Sequence, residues 1–386
     1  MNKELLSLEE QEIVKNFVTE KVLQILRDQL EEIIEIRMFG SIIRKEFGHI
    51  PKGKKTSTGV RYWSDIDFVI ITTDSFKIND YWKHKFTTKE KYWSAYELKE
   101  DLSIGVIFND EPIKLKVPVG AALIYESLLY DAKKRKQIIK DGVAISSDSE
   151  YEIIFRNKDF ELKNVIEKAS KHIINNIKKE AYSLYLGGSI ITADKKEDSD
   201  IDFFGIVKKY DEDKENELNE FFKEYSFLFG KKDIKYRSIP LKSLVEGEEV
   251  GVIKFFHPRR FVQRIPFFKL LWGDKIHERK DLLKPLSLDE EKKFLKKQLE
   301  RSIKDIKKGK EKFPLEDFSK HVMNLVMVEA QEKGYGFEPR YNSLAKYFED
   351  DKHIIHKALN IRYDKDLNRK KVLRFCKEAK KYMKKL

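Results

Sequence analysis

The sequence has little of what would tie it to a membrane, an oxidising compartment or a soft metal. Cys376 is the single cysteine in 386 residues, so no internal disulfide can form. It also leaves no Cys/His set at zinc-ligand spacing. A reducing, cytoplasmic setting is the simple reading. No run of about 18 apolar residues occurs, so no membrane partnership is expected. The opening segment, MNKELLSLEEQEIVKNF, is too acidic and too broken for a secretory signal. There is no GxxxxGK[ST] phosphate loop and no nucleophile-elbow serine. His172 and His257 have no partners at metal spacing and read as ordinary residues.

What is present is ample material for packed cores. Hydrophobic residues make up 41% and charged residues 37% of the chain. At about 150 residues per domain the length implies two or three domains. The formal net charge of +12 suits phosphate-rich partners such as nucleotides or RNA. The plainer reading stands beside it: Lys and Glu are both abundant, and most of the charge would then be solvated surface.

The chain contains an internal repeat. Leu8 to about Leu30 carries apolar residues at helical spacing, among them Val14, Val18 and Val22. A strand-like stretch, Ile33 to Phe39, leads into Gly40-Ser41, and after a loop comes Ser64-Asp65-Ile66-Asp67 followed by apolar residues. The order then recurs: a helical pattern over Leu162 to Ile177, a strand-like Ala181 to Leu186, Gly187-Gly188-Ser189, a loop, and Ser199-Asp200-Ile201-Asp202. Beyond Leu286 strand patterns cease. Leu288 to Lys308, Leu315 to Lys333 and Lys365 to Leu386 read as helices broken by glycine. Boundaries near Glu150 and Pro285 give three expected domains: 1–150, 151–285 and a helical 286–386. The expected fold class is α+β, each unit with a mixed sheet and flanking helices, followed by a helical bundle.

The repeated string has a chemical logic. Residues two apart on a strand face the same side, so Asp65 pairs with Asp67, and Asp200 with Asp202. Adjacent carboxylates repel unless a cation lies between them. Mg²⁺ takes oxygen ligands from one or two carboxylates plus substrate phosphates, and it can activate a hydroxyl and stabilise a leaving pyrophosphate. The Gly-Ser turn supplies free N–H groups and a hydroxyl for phosphate. For one Asp-x-Asp alone, an exposed strand face is the plainer explanation; the repeated constellation argues against it.

At these residues the sequence resembles the DNA polymerase β-like nucleotidyltransferase superfamily, in tandem duplicate with a helical C-terminal domain. Gly188, Ser189, Asp200 and Asp202 match the superfamily motif in type and spacing; Gly40, Ser41, Asp65 and Asp67 match in type, with a longer intervening loop, and Arg44 sits where many members have arginine. The resemblance implies Mg²⁺-dependent transfer of an NMP, AMP from ATP being favoured, to a hydroxyl acceptor. It implies catalytic metal ligation by Asp200, Asp202 and a later carboxylate, and by Asp65 and Asp67 in the first copy, with Gly188, Ser189, Gly40, Ser41 and Arg44 binding nucleotide. Asp233 fits the role of that later carboxylate in the second copy. In the first copy the stretch Pro112 to Pro118 offers lysines instead, and only Asp110 or Glu111 could substitute, by a slip of the strand. The first copy would then bind nucleotide without catalysis or serve as a structural partner. A small-molecule acceptor is slightly favoured by the helical tail, an RNA 3′ end by the charge. The rival from another class is a non-catalytic nucleotide-binding pair, the two units forming an internal pseudo-dimer.

Other features carry two readings each. Trp63, Trp82 and Trp93, with nearby tyrosines and lysines, could stack bases, but an amphipathic helix packing its rings on a sheet is preferred. The basic loop carrying Arg44, Lys45, Lys52, Lys54, Lys55 and Arg61 could clamp a triphosphate or an RNA backbone, or be merely soluble. Arg259, Arg260 and Arg264, after Pro258, could bind phosphate or form salt bridges. Glu329 is a conceivable acceptor-side base, with a solvated helix position as the plainer reading.

Overall fold

The structure, a computed structural model, describes residues 4–56, 59–146, 150–157, 162–188, 190–191, 200–230, 232–310, 315, 318–364 and 366–386. The architecture is α+β, with mixed sheets and a helical C-terminal region, as the sequence leads one to expect. No helix among the described residues is long and apolar enough to cross a membrane.

The chain begins with β1 (Glu4–Leu5), α1 (Leu8–Ile25), β2 (Ile33–Phe39), β3 (Gly48–Thr56), β4 (Gly59–Trp63) and β5 (Ile66–Thr72). It continues through β6 (Trp82–Thr87), β7 (Ser94–Leu98), β8 (Leu102–Phe108), β9 (Glu111–Val117) and β10 (Val119–Tyr125). Then come α2 (Glu126–Leu129), α3 (Ala132–Lys140), β11 (Tyr151–Arg156) and α4 (Leu162–Ile177). The second sheet is built from β12 (Ala181–Gly187), β13 (Ile201–Val207), α5 (Glu212–Glu224) and β14 (Ile234–Pro240), followed by α6 (Leu241–Glu246), α7 (Ile253–Phe256), α8 (Pro258–Arg264) and β15 (Lys269–Gly273). The helical region comprises α9 (Leu288–Lys308), α10 (Phe318–Glu332), α11 (Tyr341–Ala345), α12 (Ile354–Tyr363) and α13 (Arg369–Lys385).

Two compact units result. One is Met1–His172 with Phe221–Lys231; the other is Ile173–Glu220 with Lys232–Leu386. These limits differ from cuts at 150 and 285. Strand β11 lies beyond residue 150 yet completes the first unit's sheet by pairing with β2. The Arg156 guanidinium is ion-paired with the buried carboxylate of Glu35, which also accepts from Arg37 at 2.6 Å. In the second unit the sheet and the helical region together form one body.

The first unit's main sheet has the order β11-β2-β5-β10-β7-β6. Helix α1 starts because the Ser7 hydroxyl accepts from the Glu10 amide at 3.1 Å, with Glu9 and Glu10 favouring its positive end. Its Val14, Val18 and Val22, spaced by four, share a core with Ile36, Met38, Phe68 and Ile70. The basic loop after Gly40 is not a loose segment: much of it forms the β3–β4 hairpin, to which β1 adds a third strand. The aromatic, lysine-rich stretch is likewise no helix. It forms the antiparallel β6–β7 hairpin, where Phe86 meets Trp93 edge to face at 5.3 Å. Backbone pairing with β7, from Trp82 opposite Leu98 to Thr87 opposite Ser94, prevails over the helical reading.

The second unit's sheet has the order β14-β13-β12-β15. The pairing of its first three strands repeats that of the first unit. β2 runs antiparallel to β5, which runs parallel to β10; β12 runs antiparallel to β13, which runs parallel to β14. A parallel neighbour needs a crossover, and α5 lies on the path from β13 to β14. In the helical region α9 carries a capping box, Ser287 with Glu290, and ends at Gly309 in the left-handed conformation. Its Leu295, Leu299, Ile303 and Ile306 pack with Val322, Val326, Ile355 and Phe375.

Candidate active site

In the second unit, β12 ends with Gly187 directly opposite Asp202. Gly188 follows with φ of +74°, and a Cβ there would lie 2.6 Å from Asp202 Oδ2. Only glycine lets the chain turn this closely over the carboxylate. Ser189, expected to donate its hydroxyl, lies outside the described residues, as do residues 192–199 of the loop. Asp200 and Asp202 share a face by strand alternation. Asp233 stands just before β14, where its carbonyl accepts from the Ile201 amide at 2.8 Å. One register step on, Lys235 is directly opposite Asp202. Asp200, Asp202, Asp233 and Lys235 therefore line one rim of the sheet.

That rim is already charge-balanced. Lys235 Nζ is 2.7 Å from Asp200 Oδ2 and 3.0 Å from Asp233 Oδ2, and Arg237 Nε is 3.8 Å from Asp202 Oδ1. Burial pushes the Asp200 carboxyl up, but the hydrogen bond and charge of Lys235, joined by the charge of Lys320, hold it below the usual aspartate range. Asp202 is more enclosed. Burial and then the negative charge of Asp200 raise it, against opposition from Arg237, Lys235 and Lys320. The two acids are thus driven apart, one firmly ionised and the other readier to keep a proton. Burial pulls the Lys235 ammonium down, yet Asp200 and Asp233 more than reverse this, and it stays charged.

Among the described residues no three His, Cys, Asp or Glu side chains converge closely enough to hold a metal ion. The donor chemistry nevertheless suits a hard cation. Among the described residues the rim's oxygen donors are carboxylates: Asp200 and Asp202 repel each other, and Asp233 is 65% exposed and ion-paired to Lys235.

The first unit repeats the bend but not the rim. Phe39 is opposite Asp67, and Gly40 follows with φ of +89°, its absent Cβ 3.6 Å from Asp67 Oδ2. The Ser41 hydroxyl oxygen is buried and has no hydrogen-bond partner among the described residues. Arg44 is ion-paired at the surface with Glu46, at 3.1 Å. The strand beside Asp65 and Asp67 is β10, not the stretch Pro112 to Pro118. That stretch is largely β9, which folds back on β8 through a turn at Asn109 and Asp110, both with positive φ. Asp110 and Glu111 are therefore on a separate hairpin and supply no slipped third acid. Pro118 stands where the second unit has Asp233, its carbonyl accepting from the Ile66 amide at 3.0 Å. Gly120 stands where the second unit has Lys235, and a Cβ there would lie 2.6 Å from Asp67 Oδ1.

One acid near this rim is invisible in the sequence reading. Glu97 on β7 is opposite Gly120 on the side away from Asp67, buried and ion-paired to Lys85 at 2.8 Å. Only the pairing of β7 with β10 brings it into line, and no local motif announces that pairing.

The other candidates have structural partners. Arg259 makes a two-pronged ion pair with Glu290, and Arg260 a buried one with Glu291 at 2.8 Å. Arg264 donates to the Asn324 side chain at 2.9 Å. Salt bridging, the plainer reading, describes the first two. Glu329 is bound by Lys333, His353 and Tyr382 within the helical region. It is neither solvated nor available as a free base. His172 is stacked on Phe221 at 4.0 Å in the first unit, where burial pulls it down to about 4.

No protein-family model matches the chain, and no curated protein matches it. Among solved structures it is similar to a spectinomycin adenyltransferase from Enterococcus faecialis, determined with ATP and spectinomycin. The likeness has a TM-score of 0.41 and 14% identity, and covers 58% of this chain and 100% of that one. At that level the functional reading rests on the residues themselves.

Proposed function

We propose that the protein is a divalent-metal-dependent nucleotidyltransferase that moves an NMP, AMP from ATP being favoured, onto a hydroxyl acceptor. The carrying observation is the second unit's rim: a glycine bend pressed on Asp202, with Asp200 and Asp233 on the same edge. Asp200, Asp202 and Asp233 would hold Mg²⁺, which supplies charge neutralisation for the triphosphate and the departing pyrophosphate. Gly188 lets backbone approach the phosphates, and the Ser189 hydroxyl is proposed to donate to them. Asp233, the most exposed of the three acids, would accept the acceptor's proton. Arg237 and Lys320 add positive charge near the phosphates. A small-molecule acceptor is the first choice and an RNA 3′ end the second.

The first unit is proposed to bind nucleotide through Gly40, Ser41 and the Asp65–Asp67 pair without catalysis, with Arg44 beside the bend. Pro118 in place of the third acid favours this division of labour.

The test is transfer of labelled NMP with Mg²⁺, small hydroxyl compounds and RNA. Asp200→Ala should abolish turnover with the fold intact by circular dichroism. Asp67→Ala should retain turnover and lower the nucleotide stoichiometry by calorimetry. Unchanged transfer in the Asp200 variant would remove the second unit as the catalytic centre.

A further inference from the structure

The two rims differ most at one position. Where the first unit has Gly120, the second has Lys235, directly opposite the second aspartate of its pair. Lys235 is not a passing surface lysine. Its ammonium bridges Asp200 and Asp233, which stand just before β13 and β14, at 2.7 and 3.0 Å. The oxygens it binds belong to two of the three carboxylates proposed to hold metal. An ammonium is a single charge on a flexible stem and can leave; a divalent ion at the same oxygens would be repelled by it until it did.

We propose that Lys235 is a built-in counter-cation that keeps free divalent metal out and yields only to metal arriving with a triphosphate. The inference rests on reading the second unit as a metal–nucleotide site. With no nucleotide, the ammonium already neutralises Asp200 and Asp233, and a free metal ion gains little by displacing it. A bound triphosphate supplies several negative oxygens beside the rim. The lysine stem then has an alternative anion to reach, and the carboxylates are released to the metal. Binding of metal and nucleotide is thereby coupled, each raising the affinity for the other by the same factor. The coupling also explains why a rim with like-charged acids can persist without metal.

The experiment measures Mn²⁺ binding to the full chain by electron paramagnetic resonance, with and without an α,β-methylene ATP analogue. Wild type, Lys235→Met, Lys235→Arg and Asp200→Asn are compared, each checked for an unchanged melting transition. Wild type should bind Mn²⁺ weakly alone and at least about tenfold more tightly with the analogue. Lys235→Met should bind free Mn²⁺ about as tightly as wild type does with the analogue, losing most of the coupling. Lys235→Arg, which keeps the charge, should bind free Mn²⁺ as weakly as wild type does. If wild type binds Mn²⁺ with the analogue but Lys235→Met takes up free Mn²⁺ no better than wild type, the counter-cation role is overturned and the site reading survives. If no variant binds Mn²⁺ under either condition, or Asp200→Asn binds it as wild type does, both fall together.

Discussion

Gly188 approaches Asp202 as only a residue without a Cβ can: the missing Cβ of the glycine would lie 2.6 Å from the aspartate Oδ2. Gly188→Ala meets two obstacles, that collision and a φ of +74°. The left-handed conformation disfavours alanine by about 1–2 kcal/mol. The carboxylate can swing aside, so the protein should still fold, with a melting temperature lowered by a few degrees. Swinging it aside spoils the rim, so NMP transfer should fall by at least about a hundredfold, a loss of about 2.7 kcal/mol at the transition state. Transfer at the wild-type rate would mean the bend does not position Asp202.

The adjacent arginines of α8 separate structural pairing from phosphate binding. Arg260 and Glu291 are almost wholly enclosed, with 4% and 2% of their side chains exposed. Arg260→Ala strands a buried carboxylate and should destabilise the second unit by about 3–5 kcal/mol in urea unfolding. Arg259 faces solvent with Glu290 and should matter much less to stability. Neither Arg259→Ala nor Arg260→Ala, measured below its unfolding transition, should change nucleotide affinity. A salt-dependent loss of affinity in the Arg259 variant would restore it as a phosphate ligand.

Glu329 gives the helical region a pH signature. Burial alone would raise its carboxyl; hydrogen bonds from His353, Lys333 and Tyr382 prevail and hold it at about 2, against an ordinary 4.5. A depressed carboxylate contributes stability that is present above its unfolded value and is lost as pH falls through the folded one. Glu329→Gln should therefore be less stable than wild type near neutral pH by about 1–3 kcal/mol. That gap should close as pH falls from about 4.5 towards about 2. A gap of constant size in chemical denaturation across that window would assign the effect to packing.

Part of this was readable along the chain. Val14, Val18 and Val22 mark α1 by their spacing, and acid–Ile–acid alternation marks β5 and β13, because side-chain direction within an element repeats over a few residues. The glycine before each serine was legible for the same local reason. Strand pairing is not local. That β10 rather than β9 lies beside Asp67, that Pro118 and Gly120 replace Asp233 and Lys235, and that Glu97 comes into line with Gly120 depend on register between segments far apart in sequence. The same holds for Lys235, whose charge in the sequence was one among many. Only folding set it between two aspartates, because the energy of an ion pair depends on distance and enclosure, and neither is written in the order of residues.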